Sequence, residues 1–136
     1  MKKNENVYLH HIRDAIVTIE NYLAGIPKDK FMSTPLLQDG VLRQLEIIGE
    51  AAGNLAEEFR AKHANVPWGE ITGLRNRVIH AYFNLNLDII WEITQNDLKS
   101  LQKDISAIIS PDELRGTLKE KGIGLTGLRD KKNRSL

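Results

Sequence analysis

Four side chains within one short stretch, residues 70–83 (EITGLRNRVIHAYF), have the types and spacing for chemistry: Arg75, Asn76, His80 and Tyr82. A histidine titrates near neutral pH and can take or give a proton in a reaction. An arginine stays charged and can clamp phosphate oxygens as negative charge builds on them. Asn76 precedes His80 by one helical turn, a spacing that lets it orient the ring or hydrogen-bond a phosphate. Proton transfer beside a phosphate is the chemistry this set can do. Tyr82 adds a hydroxyl two residues after the histidine. A lone Arg or His on a helix is ordinarily a solvated surface residue, so the combination carries the argument and no single member does.

These residues need a helix to position them, and the stretch reads as one, opened by Trp68 after Pro67. At about 100° per residue, Ile71, Leu74, Val78 and Tyr82 share one side, as a core-facing stripe should. That placement makes a core role for Tyr82 as reasonable as an exposed one. The other side carries Gly69, Thr72, Gly73, Asn76 and His80. Glycine inside a helix costs roughly 1 kcal/mol relative to alanine. A small-residue face therefore implies that another helix or a substrate approaches the backbone closely. Arg75 and His80 are five positions apart, about 140° around the helix, so one chain alone makes a poor site. Two copies packing this face across a two-fold axis would bring both histidines and both arginines to one cleft.

The remaining elements follow from period and punctuation. Asn4 or Asn6 can cap a first helix running to about Ala24, with Tyr8, Ile12, Ala15, Ile16, Ile19 and Leu23 on one face; Gly25-Ile26-Pro27 stops it. Residues 28–34 read as a loop, with Phe31 and Met32 as loop packing. Thr34-Pro35 has the cap-then-proline order of a helix start. A long second helix then runs to about Lys62, its Val41, Leu45, Ile48, Ala52, Leu55 and Phe59 stepping as a heptad seam. Residues 63–67 connect to the central helix. Asn86 or Asp88 starts a fourth helix in which Trp91, Thr94, Leu98, Leu101, Ile105 and Ile108 repeat at bundle spacing. Ser110-Pro111 ends it, with a weak extra turn over 112–121. No strand alternation and no long repeat interrupt the pattern. The expectation is an all-α, up-and-down four-helix bundle over residues 1–110, followed by a basic, flexible or partner-ordered tail over 111–136.

Composition narrows the class. The 136 residues include no cysteine, which removes disulfide and thiolate chemistry and fits a reducing compartment. Nothing resembles a signal peptide or membrane span, so a soluble, cytoplasmic protein is expected, with no membrane partner. The net charge of +1 hides an asymmetry: residues 1–114 hold 12 basic and 16 acidic side chains, and residues 115–136 hold 7 and 2. Glu46, Glu50, Glu57 and Glu58 read as a solvated face, because no histidine follows at metal-ligand spacing. His10 and His11 read as surface residues.

Arg75-Asn76 followed by His80-Ala81-Tyr82, preceded by Pro67-Trp68 and Ile71-x-x-Leu74, resembles the arginine, four residues, histidine, one residue, tyrosine motif of the HepT-like toxins of the HEPN superfamily of helical bundles. The resemblance extends to LRQLEIIGEAA at 42–52 and LDIIW at 87–91, covering about residues 5–108. It implies a homodimeric, metal-independent endoribonuclease, needing no cofactor, that acts as the toxin of a type VII-like toxin–antitoxin module. The implied partners are an RNA substrate and a nucleotidyltransferase antitoxin that silences the toxin by transferring AMP to the motif tyrosine. Residue by residue, Arg75 and His80 would be catalytic, Asn76 supporting, and Tyr82 the AMP acceptor. Metal-free RNA cleavage needs the ribose 2′-hydroxyl to attack the adjacent phosphorus, which the histidine and arginine chemistry fits. The alternative is a non-catalytic helical partner that presents nucleotide or substrate to a nucleotidyltransferase.

Overall fold

The computed structural model describes residues 3–84 and 86–109. The chain divides into Met1–Ile105 and Ser106–Leu136. All but the last residues of the described part belong to the first unit; the expected extra turn and basic tail lie outside the described residues. Among the described residues every regular element is a helix, with no strand: α1 Lys3–Leu23, α2 Lys28–Met32, α3 Pro35–Gly53, α4 Glu57–Lys62, α5 Trp68–Thr72, α6 Leu74–Phe83, α7 Leu87–Glu92, a π-helical turn Ile93–Asp97, and α8 Leu98–Ile108. The all-α bundle is as expected. None of the described helices is long and apolar enough to cross a membrane.

The hub is α3, which packs against α1, α2, α5 and α6. Its heptad residues Val41, Leu45, Ile48 and Ala52 are fully buried, and so are Leu9, Ile12, Ile16 and Ile19 on the facing stripe of α1. Burying an aliphatic side chain of this size contributes about 1.5–3 kcal/mol, so these two stripes anchor the bundle. Asn4 and Asn6 both lie within α1 as it is described from Lys3. Gly25 ends the turn after α1 with φ 72°, a left-handed conformation that glycine adopts without steric cost.

Local chemistry breaks up three of the expected elements. Residues 28–34 are not a plain loop: α2 buries Phe31 completely, its ring 5.4 Å from that of Trp91. Buried Gln38 donates its amide to the Phe31 and Met32 carbonyls, which satisfies the end of α2. The Thr34 hydroxyl, at the position expected to cap α3, instead donates back to the Lys30 carbonyl at 2.6 Å. The Lys28 ammonium meets Asp88 at 2.7 Å and ties α2 to α7; that hydrogen bond raises the Lys28 pKa above the ordinary lysine value.

The expected second helix stops at Gly53, where the Asn54 amide folds back onto the Glu50 carbonyl, and a separate α4 carries Phe59 into the core. The fourth helix contains one widened turn. There the Leu98 N–H reaches the Ile93 carbonyl five residues back, and Ile93 and Thr94 are both buried. Such turns accommodate one more residue per turn than the bundle spacing allows.

Candidate functional site

The central stretch is two helices, α5 and α6, meeting at Gly73, and not one. Hydrogen bonds bridge the joint, from the Gly73 N–H to the Gly69 carbonyl and from the Arg77 N–H to the Gly73 carbonyl, so the two run on in register. Their inward side is as the wheel predicts: Trp68, Ile71, Leu74, Val78 and Ala81 are buried, and Tyr82 is half-buried. Where this side crosses α3, Gly49 provides the clearance. A Cβ at Gly49 would lie 3.2 Å from the Ile71 carbonyl oxygen and 3.6 Å from the Arg75 nitrogen. The close backbone approach that a small residue permits within this chain is therefore at Gly49 of α3. The outward glycines differ: a Cβ at Gly69 would meet nothing within 4 Å, and one at Gly73 would meet only carbonyls of its own helix, the nearer at 3.4 Å. No part of the described chain covers that face.

Arg75, Asn76 and His80 are all exposed. Arg75 extends toward α3, with Nε 3.9 Å from Glu46 Oε2, a loose pair in which the arginine side chain stays 68% exposed and the glutamate 25%. Glu46, expected on a solvated face, is thus held partly under Arg75. His80 lies in the last turn of α6 and meets Asn84, whose Nδ2 is 3.4 Å from His80 Nε2 and donates to the His80 carbonyl at 2.8 Å. The carbonyl bond fixes the nitrogen end of that amide toward the ring. Asn76, expected to orient the ring, makes no side-chain hydrogen bond among the described residues; Asn84, one turn on the other side, has that contact. Arg75 and His80 do not touch, in keeping with their angular separation.

Tyr82 donates its hydroxyl to Asp39 Oδ1 on α3 at 3.3 Å. Asp39 and Glu46 are seven residues apart on α3, and Arg75 and Tyr82 are seven apart on α6, so each pair shares a stripe of its helix. The helices run antiparallel, with Asp39 opposite Tyr82 and Glu46 opposite Arg75, and the two rungs about 10 Å apart along the axis. Tyr82 therefore shares its stripe with Arg75, and His80 looks elsewhere. Asp39, Glu46 and Asn84 were not singled out for a site by the sequence. Asn84 was legible as the residue one turn after the histidine. The two carboxylates were not, because only the packing of α3 on α6 selects them from the acidic residues of the chain.

A separate cavity of about 200 Å³ opens on another side of α5 and α6, lined by Glu70, Arg77, Asp97 and Asp104 over an apolar floor, with Arg77 3.7 Å from Asp97. It contains none of Arg75, Asn76, His80 and Tyr82. Among the described residues no three His, Asp or Glu side chains gather as a metal site.

Residues 12–108 match the family described as ribonuclease HepT-like. The chain belongs to this family of HEPN-type helical proteins. It is 40% identical over 111 residues to "Putative RNase TTE0752" of Caldanaerobacter subterraneus subsp. tengcongensis, covering 82% of this chain and 99% of that one. It is 36% identical to "Probable ribonuclease HepT" of Thermococcus cleftensis, covering 75% and 93%. A Methanocaldococcus jannaschii protein named "Gamma-glutamylcyclotransferase and putative RNase MJ0434" is 39% identical over 109 residues, and the match spans 49% of its length. No solved structure matches the chain.

Proposed function

We propose that this protein is a metal-independent endoribonuclease, the toxin of a two-component module, which works as a homodimer and is silenced when a nucleotidyltransferase antitoxin transfers AMP to Tyr82. The observation that carries the reading is the uncovered face of α5 and α6. Asn76 and His80 stand exposed on it and Arg75 stands exposed beside it, on the side toward α3, on helices whose inward side is buried in the core, in a chain of the HepT-like ribonuclease family. Polar groups with no packing duty, on a rigid support, are what a site for a charged substrate requires.

In this mechanism a neutral His80 takes the proton of a ribose 2′-hydroxyl as that oxygen attacks the adjacent phosphorus, and the second histidine of the dimer protonates the departing 5′-oxygen. Arg75 turns from Glu46 to the phosphate, a loose partner being cheap to leave, and neutralises the charge that builds in the transition state. The two-fold arrangement supplies what the angle between Arg75 and His80 denies to one chain. An adenylate on Tyr82 would add a bulky anion to the stripe shared with Arg75, competing with the RNA phosphate for the same cation.

The test is incubation of purified protein with single-stranded RNA in the presence of a chelator, before and after modification by its nucleotidyltransferase and ATP. The expected outcome is cleavage to 2′,3′-cyclic phosphate and 5′-hydroxyl ends by the unmodified dimer, and loss of cleavage as intact mass rises by one AMP. RNA left whole by an unmodified, folded dimer would remove the ribonuclease reading and leave the non-catalytic partner in its place.

A further inference from the structure

We propose that Asp39 is the group that aligns the Tyr82 phenol and receives its proton when the tyrosine is modified. The proposal rests on the reading of Tyr82 as an AMP acceptor and adds a residue to it that lies on a different helix. A phenol is a weak nucleophile while it keeps its proton, and a base within hydrogen-bond reach is what activates it. Asp39 Oδ1 is 3.3 Å from the Tyr82 oxygen, with the phenol donating. Asp39 itself is exposed on α3 and accepts no other side-chain hydrogen bond in the described structure.

The surroundings leave this pair open to a partner. Phe83, the next residue, is 78% exposed with its ring 5.9 Å from that of Tyr82, and Leu36, one turn before Asp39 on α3, is 82% exposed. The Tyr22 ring of α1 lies against Gly40, next to Asp39 in sequence, and is 41% exposed. Three of the five exposed large apolar side chains of the described chain thus sit within a turn or one packed neighbour of the pair. A hydrogen bond needed only to join α3 to α6 gains little in water, where the solvent competes for both groups. The packing at Gly49 already joins these helices.

The step balances as a nucleotidyl transfer from a nucleoside triphosphate. The Tyr82 oxygen forms a bond to the α-phosphorus, and the bond from that phosphorus to the bridging oxygen breaks. Pyrophosphate leaves with the electron pair, and the phenolic proton passes to Asp39 and then to water.

The experiment follows label from α-³²P ATP onto full-length wild type, Asp39→Asn, Asp39→Glu and Tyr82→Phe, using a purified candidate nucleotidyltransferase antitoxin. Asparagine keeps the size and an acceptor oxygen but is no base. We expect Asp39→Asn to lower kcat for labelling about a hundredfold or more, with KM for the protein substrate changed less than threefold. Asp39→Glu should recover at least a tenth of the wild-type rate. RNA cleavage and Tm of both variants should match wild type. Equal labelling of wild type and Asp39→Asn overturns the proposal while Tyr82 stands as acceptor. So does a loss of labelling in Asp39→Asn that appears wholly in KM, or one accompanied by a matching fall in Tm in both Asp39→Asn and Tyr82→Phe, since the bond would then be a structural tie or a docking contact. Label on Tyr82→Phe equal to that on wild type, or none on wild type, overturns the acceptor reading itself and this proposal with it.

Discussion

The two sides of α5 and α6 are built from the same fifteen or so residues of chain and answer to different constraints. On the inward side, Ile71, Leu74, Val78 and Ala81 are buried, and Gly49 of α3 is small because the backbone of α5 and α6 lies against it. On the outward side, Gly69 has open space beside it, Asn76 and His80 are exposed, and the one side-chain hydrogen-bond partner among them is Asn84 at His80. The inward side accounts for the fold and says nothing of activity. The outward side contributes little to the fold, so its polar residues have no structural explanation. A helix divided this way separates stability from function, and substitutions on the two sides should separate in the same way.

The largest effect expected is His80→Ala. It should lower RNA cleavage by a factor of about 10² to 10⁴ while Tm in a thermal melt stays within experimental error of wild type. Unaltered cleavage by the folded variant would end the comparison, because the outward side would then have no catalytic member. Arg75→Ala should come next, reducing kcat more than it raises KM in initial-rate kinetics, since the contact matters most as transition-state charge develops.

The inward side is tested by Gly49→Ala. Its new methyl would lie 3.2 Å from the Ile71 carbonyl oxygen, tighter than ordinary contact, so the backbone of α5 must give by a few tenths of an ångström. A destabilisation of about 1–3 kcal/mol is expected from such overpacking, read as a lower denaturation midpoint in urea, with the remaining folded protein still cleaving RNA. Gly73→Leu sharpens the contrast between glycines. The single chain tolerates a Cβ there at ordinary contact distance, so Tm should change little. Light scattering should nonetheless show monomer in place of dimer, with activity lost in parallel; a fully active monomer would refute the composite site. The smallest effect belongs to Glu46→Gln. Its pair with Arg75 is long and the arginine end is mostly solvated, so stability should shift by no more than about 1 kcal/mol in the same urea titration.

Periodicity made most of the core legible. The buried positions of α1, α3 and the final helix repeat every three or four residues, and the signal that makes a helix amphipathic is the one that decides what it buries. Tyr8 is the one misplacement on α1: it is half-buried while Leu9 takes the fully buried place. The same wheel separated Arg75 from His80 and set Tyr82 on the core-facing edge. Breaks were less legible, since Gly53 with Asn54, the Gly73 joint and the π turn depend on how a helix end or a widened turn is satisfied. Glycine was legible only in part: within this chain the close approach is made at Gly49, in a helix whose seam shows no sign of it.

By itself, then, the sequence determined the helical class, the buried stripes and the cluster of Arg75, Asn76, His80 and Tyr82, because each follows from residue type and spacing within one segment of chain. The tertiary structure decided that α3 is the hub, that Asn84 and not Asn76 reaches the histidine, and that Asp39 and Glu46 stand opposite Tyr82 and Arg75. Those last pairings join residues some thirty to forty positions apart. They depend on the antiparallel crossing of two helices at a glycine, and no period along either helix alone records which residues of the other it will face.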